Sequence, residues 1–289
     1  MADFKHLKLY HAPWSFCSQM VRIALHEKGI PYESNKIKLC DQYPEGENLS
    51  PEYLAINPKG VVPAIDIDGE IVTESTNIIK RINSLKGQKD INLWPKEVDQ
   101  ESLEKWVEGT TMTEGVSLGE SFGTTIPPFS LILINHMIKK YLSVGQALKV
   151  FWRHPMRDRG TLFLLMKFLP IHKRVIPLHY QNFVEGLISI EAELDKNQPY
   201  FFGPFSHVDI NLMACFHRLT DIKLEEILEM DEFPKVSQYW RLLKSRDSYK
   251  EGILDFYGEK EHGDIKDVFK KKRSEHLEPL KELIRNSKP

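Results

Sequence analysis

Hydrophobic and polar positions change their rhythm near residue 86. Before it, short alternating runs interleave with helical stripes. His6–Tyr10 predicts a short strand that stops at His11-Ala12-Pro13. Ser15–Lys28 has a helical period, with Val21, Ala24 and Leu25 on one face and Gly29 placed as a C-cap. Ile30–Leu39 contains the alternation Tyr32, Ile37, Leu39 and predicts a second strand. Ser50 as N-cap and Pro51 at the first helical position open a short helix. Val61–Ile67 and Glu70–Thr73 flank Asp68-Gly69, a hairpin signal. Glu74–Leu85 is helical again, with Ile78, Ile79 and Ile82 as its stripe. The predicted order is β-α-β-α-β-β-α, an α/β domain over 1–86.

Residues 87–98 read as a linker anchored by Leu93-Trp94-Pro95, and beyond them strand signals almost vanish. Helices are predicted at Gln100–Glu114, Phe129–Arg153, Tyr180–Asp195, Val208–Leu219, Val236–Ser245 and Lys266–Asn286, so 99–289 is an all-α C-terminal domain. About 120–181 stands apart within it. Pro127-Pro128, Pro155, Pro170 and Pro177 punctuate apolar runs carrying Lys and Arg, which predicts an insertion of one or two helices joined by turns.

Composition changes this picture only in part. The 289 residues are 41% hydrophobic and 28% charged, which argues against disorder. No charge-free apolar run approaches the roughly 20 residues that span a bilayer, and the N-terminus has no secretory h-region. Three cysteines without a CxxC pair predict a reducing, cytoplasmic setting. The formal net charge of -2 conceals a segregation: residues 120–181 carry 9 basic and 2 acidic side chains, residues 182–265 carry 9 and 17. The basic block has two readings. Either it packs its apolar face on its own domain and shows its cations to water, or it lies on an anionic membrane surface or faces a partner. Nucleic acid is not an expected partner, because no recognition module accompanies the basic block. No metal is expected, because the 11 histidines show no ligand spacing.

Four segments carry candidate chemistry. Ser15-Phe16-Cys17-Ser18 lies where a strand gives way to a helix, whose unpaired N–H groups and dipole favour a thiolate. There Cys17 would be a lowered-pKa thiol, or Ser15 would donate a hydrogen bond to a ligand's thiolate. The blander alternative is that Ser15 caps the helix and Cys17 fills the core. In Asn57-Pro58-Lys59-Gly60-Val61-Val62-Pro63, a cis bond at Pro63 would turn the Val62 peptide groups toward a ligand; otherwise Pro63 simply opens a strand. Glu74-Ser75 at a helix start suits an α-amino-acid moiety, with a carboxylate for the ammonium and helix N–H groups for the carboxylate, or is a plain capping dyad. Ser206-His207-Val208-Asp209 is read as a structural capping box. Trp14, Trp106, Met112 and Phe122 are candidate apolar lining for a second substrate.

The order and spacing of these words resemble the glutathione S-transferase family. The matching words are Ser15-x-Cys17-Ser18-x-x-Val21-Arg22, Asn57-Pro58-x-Gly60-x-Val62-Pro63, Glu74-Ser75-x-x-Ile78-Ile79 and Gly203-x-x-Ser206-x-x-Asp209. The resemblance covers 6–86 and resumes at about 180–245. The first word is similar to that of zeta-class enzymes (maleylacetoacetate isomerases) and of tetrachlorohydroquinone reductive dehalogenases. The insertion and Phe216-His217-Arg218-Leu219 resemble ganglioside-induced differentiation-associated proteins.

The resemblance implies a thioredoxin-like, glutathione-binding N-terminal domain, a homodimer, and glutathione as co-substrate for attack on a small hydrophobic electrophile in detoxification. It places Ser15 against the glutathione sulfur and the Val62 backbone, beside cis Pro63, on the cysteinyl part. Glu74 and Ser75 fall on the γ-glutamyl end and Lys59 toward the glycine carboxylate. It also leaves two other functions open: a reductive dehalogenase or thiol-disulfide enzyme using Cys17, and a non-catalytic binding protein that keeps the fold.

Overall fold

The structure is a computed structural model that describes residues 4–112, 115–195, 197–270 and 272–287. Its N-terminal part holds β1 (Leu7–His11), α1 (Phe16–Lys28), β2 (Glu33–Lys36), α2 (Pro51–Ile56), β3 (Ala64–Ile67), β4 (Glu70–Thr73) and α3 (Ser75–Ser84). The four strands form one sheet in the order β2-β1-β3-β4. β1 runs parallel to β2 and antiparallel to β3, with Leu9 opposite Ile65, and β3 pairs antiparallel with β4. This is the thioredoxin-like arrangement. β3 and β4 turn through Asp68 and Gly69, both at positive φ, as a tight hairpin needs. Gly29 ends α1 at φ 60, where its own N–H reaches back to His26 O.

The helical part comprises α4 (Gln100–Gly109), α5 (Phe122–Tyr141), α6 (Val144–Trp152), α7 (Arg157–Phe168), α8 (His172–Val175), α9 (Tyr180–Glu193), α10 (His207–Asp221), α11 (Pro234–Lys244), α12 (Asp247–Gly252), α13 (Glu259–Phe269) and α14 (Leu277–Asn286). α10 is its buried centre; all but Thr220 of its residues are buried. One hydrophobic core runs from Leu9, Met20 and Ile65 through Phe129 and Phe183 to Phe216 and Trp240, joining the two parts.

Polar bonds reinforce the junction. Arg246 Nε donates to Glu27 Oε1 at 2.6 Å, and the His207 N–H donates to Leu93 O at 2.9 Å.

Several predicted helices divide differently. The helix expected over Gln100–Glu114 stops at Gly109, and its last two expected residues lie outside those described. Pro127 and Pro128 do not punctuate; they lie inside α5, which starts at a Ser121–Thr124 capping box. Each proline leaves the carbonyl four residues earlier without its helical donor. For Thr124 O, the Gly119 N–H takes that place at 3.0 Å. The run Phe129–Arg153 breaks at Leu142-Ser143, because Ser143 and Gln146 form a second capping box, with the Ser143 N–H on Gln146 Oε1 at 2.8 Å. Lys266–Asn286 splits into α13 and α14, and α13 ends at Lys270 with φ 46.

The insertion, expected as one or two helices, is four: α5 to α8. α6 and α7 pack so closely that a Cβ at Gly160 would sit 2.5 Å from Phe151 O. Their inner faces (Ala147, Phe151, Phe163, Met166) form a second core with Leu131, Ile138 and Cys40. Cys40 belongs to the N-terminal part, so the insertion spans both parts of the molecule.

Candidate active site

The site is built first by Arg22. It is fully buried on α1 and donates to four acceptors: Gly252 O at 2.6 Å, Ala12 O at 3.1 Å, Pro13 O at 3.0 Å and His11 Nδ1 at 3.1 Å. These bonds hold the β1–α1 loop at a fixed height over the sheet. His11 Nε2 bonds Ser34 Oγ at 2.8 Å. Since the guanidinium only donates, Nδ1 accepts and the proton sits on Nε2. Burial, with Arg22 and Lys36 nearby, pushes the His11 pKa down to about 3.

The loop delivers Ser15 to the N-cap of α1. Its Oγ accepts the Ser18 N–H at 3.2 Å, which leaves its own hydrogen free to donate. Ser15 and Cys17 line a cleft of about 140 Å³. Its opposite wall comes from the Gly60-Val61-Val62 segment and from Leu39-Cys40-Asp41-Gln42. The Val62–Pro63 bond is cis, and the β-ladder starts only at Ala64, so Val62 is not engaged in the sheet. Asn48 staples this wall: its Oδ1 accepts the Cys40 N–H at 2.8 Å and its Nδ2 donates to Gly60 O at 2.7 Å. The roof is the insertion, with Ser130 and Leu133 of α5 and Arg159 and Phe163 of α7.

Cys17 departs from the lowered-pKa expectation. Burial pushes its thiol up to about 11, outweighing the Ser75 hydroxyl beside it and the positive charge of Arg159 and Arg218; Glu74 adds to the rise. The helix N-terminus does not rescue it, because the packed surroundings remove the water that would solvate a thiolate. Ser75 and Glu74 are thus brought close to Cys17. Glu74 has φ 66 and its carboxylate pairs with Lys59 Nζ at 3.0 Å. Lys59 and Glu74, expected at opposite ends of the ligand, therefore meet each other.

Ser206 and Asp209 lie apart from the cleft, at the start of α10. Asp209 accepts the Ser206 N–H at 2.7 Å, the Ser206 hydroxyl at 2.9 Å, the Phe201 N–H at 3.0 Å and the Tyr239 hydroxyl at 2.5 Å. Of the four candidate lining residues, Trp14 and Met112 reach the cleft. Trp106 instead packs on Phe201 (4.6 Å between rings) at the edge of the core, and Phe122 stacks on Phe183 at 5.6 Å within it.

Sequence reasoning missed Cys40, Asn48, His154 and Arg159, because only tertiary packing brings their segments to the cleft. Arg218, quoted only within a motif, lines the cleft and donates to Trp14 O. Its neighbour His217 bonds Tyr249 and Tyr257, each at 3.0 Å, and Tyr257 donates to Asp221 Oδ2 at 2.6 Å. One polar cluster does join a histidine to two acids: His136, Asp264 and Asp267 place ligand atoms within 4.8 Å of one another. Lys140 Nζ already sits between the two carboxylates, at 2.8 and 2.6 Å, so the group is an ion-pair hub.

Residues 14–85 match the family model described as "Glutathione S-transferase, N-terminal domain". The chain thus resembles the glutathione S-transferase family, with the family model covering its N-terminal part alone. It is 22% identical to Glutathione S-transferase TCHQD of Arabidopsis thaliana, over 87% of this chain and 91% of that one. It is 46% identical to a zeta-class glutathione S-transferase of Euphorbia esula, over 25% of this chain and 31% of that relative. The similarity to the zeta-class protein is thus confined to about a third of that protein. Among solved structures, beta-etherase LigF from Sphingobium sp. strain SYK-6 superposes with a TM-score of 0.70 at 20% identity, over 86% of this chain and 98% of that one.

Proposed function

We propose that this protein is a glutathione transferase in which Ser15 stabilises the glutathione thiolate for attack on a small hydrophobic electrophile. Residues 1–86 bind glutathione, 87–98 link, and 99–289 supply the electrophile's side of the cleft. The observation that carries this reading is Ser15 itself: its Oγ already accepts a helix N–H, faces the cleft, and keeps a hydrogen to give.

A free thiol has a pKa of about 8.5, and lowering it by about two units needs about 2.7 kcal/mol of preferential binding to the thiolate. A hydrogen bond from Ser15 together with the N-terminal dipole of α1 supplies most of that. Val62 beside cis Pro63 suits the cysteinyl backbone, and Glu74 with Ser75 suits the γ-glutamyl end. Lys59 suits the glycine carboxylate, and in this reading its pairing with Glu74 also orients that side chain. The apolar roof from α5 and α7 receives the electrophile. The test is retention on glutathione resin together with turnover of a chloronitroarene. Ser15→Ala is expected to keep retention and lose about 100-fold in kcat/KM; unchanged turnover contradicts the assignment.

The second reading, reductive dehalogenation through Cys17, is favoured by one observation: Cys17 shares the cleft with Ser15. A tetrachloro-p-hydroquinone reductive dehalogenase of Sphingobium chlorophenolicum is 33% identical over 25% of this chain and 28% of its own. The raised thiol pKa weighs against it, since a protonated thiol is a poor nucleophile. Cys17→Ser is expected to retain conjugation within about threefold, since the step runs through Ser15. A stalled reaction showing a glutathione adduct on Cys17 by mass spectrometry would establish the second reading instead.

A further inference from the structure

Among the described residues, twelve large apolar side chains are exposed, and eight of them lie between Val144 and Leu178. They are ordered. Val144, Leu148 and Trp152 recur every four residues and form one stripe along α6, with Trp152 75% exposed. Leu165 and Phe168 are exposed at the end of α7, and Met156 is exposed in the turn between the two helices. The inner faces of the same helices already bury Ala147, Phe151, Phe163 and Met166 in the second core. The outer apolar stripe is therefore surplus to folding, and a row of exposed large apolar side chains along one helix face marks a contact site.

Charge selects the occupant. Residues 144–178 hold seven basic side chains and a single acid, Asp158. Of the seven, only Lys173 has a carboxylate partner among the described residues, Glu275 at 3.8 Å. Lys149, Arg153 and Arg157 are exposed and interleave with the stripe. A second copy of this chain would bring like charge against like, which disfavours self-association through this face. An apolar ridge with an exposed Trp and flanking Lys and Arg has the chemistry of a helix that lies in a lipid headgroup layer. Among the described residues no helix is long and apolar enough to cross a membrane, so any contact is from the surface.

We propose that the outer face of α6 and α7 docks on an anionic lipid surface, the apolar stripe entering the headgroup boundary and the cations meeting lipid phosphates and carboxylates. Because α7 also roofs the cleft through Arg159 and Phe163, docking sets the cleft close to the layer where apolar molecules partition. The docking does not depend on the catalytic reading above.

The experiment is co-sedimentation of the full chain with vesicles of phosphatidylcholine alone or mixed with phosphatidylserine. Recovery is expected with the anionic vesicles, weakly or not at all with neutral ones, and to fall as salt rises from ~0.1 to ~0.5 M. Lys149→Gln and Arg153→Gln should each weaken partitioning about fivefold, and Trp152→Ser on the order of tenfold. None of these residues lines the cleft, so glutathione-resin retention and thermal melting should be unchanged, which separates lost docking from lost folding. Equal recovery with both vesicle types, recovery with neither, preferential capture by polyglutamate, or a lipid-free dimer that Trp152→Ser dissociates would overturn the proposal.

Discussion

Ser15 has two hydrogen-bonding tasks that do not compete: its lone pair caps α1 and its proton is available to a ligand. The capping and catalytic alternatives for this position are therefore compatible with each other. Ser15→Ala should cost about 1 kcal/mol of stability from the lost cap, measurable as a small drop in urea midpoint, separately from its effect on turnover. Cys17 is the opposite case. Its place at a helix start is plain from the chain, but the burial that raises its pKa comes from tertiary packing around the cleft. A one-dimensional reading sees the dipole and misses the desolvation. Lys59 and Glu74 were also legible as charged site residues; that they pair with each other depends on how the Lys59 loop folds back over the start of α3.

At the scale of elements, the N-terminal order was readable because each strand and helix carries its own punctuation: Gly29, Ser50-Pro51, Asp68-Gly69. In the insertion the prolines are poor punctuation, since Pro127 and Pro128 lie within a helix, and it is the Ser143–Gln146 capping box that divides the run. The long-range element contacts were not readable at all. Arg22 shows why. It was one letter of a motif, yet it ties α1, the β1–α1 loop and α12 through four bonds. Arg22→Met would strand three carbonyls, those of Ala12 and Gly252 buried and that of Pro13 partly so, and is expected to cost about 3 kcal/mol, lowering Tm by about 5–10 °C. A calorimetric scan indistinguishable from wild type would show that the loop is held by other means.

For the whole molecule, the segregated charge found a structural counterpart in a basic, apolar-faced insertion laid across both parts of the fold. Acid lability is another property of the whole. His11 and His207 are buried neutral, with pKa values pushed down to about 3 by burial, helped by Arg22 and Lys36 at His11 and by Lys80 at His207. Below about pH 6.5 the unfolded chain binds protons that the native state refuses, so stability falls as pH drops, at a limit of about 1.4 kcal/mol per unit for each histidine. Asp41 and Asp209, whose carboxyls burial raises, act in the opposite sense and gain stability as pH falls. Between pH 7.5 and 5.5 the histidines dominate. Tm should fall over that range, and His11→Gln should flatten the dependence by up to one proton; a pH-independent Tm would contradict the buried-neutral assignment.

The central claim is that the cleft stabilises a thiolate through Ser15, and ultraviolet titration of the bound glutathione thiolate tests it most directly. Glutathione bound to the wild-type protein should ionise with a pKa about two units below that of the free thiol, and in Ser15→Ala the value should return most of the way with binding retained. A bound thiol that titrates as it does in solution, or a lowered pKa that survives in Ser15→Ala, would contradict it.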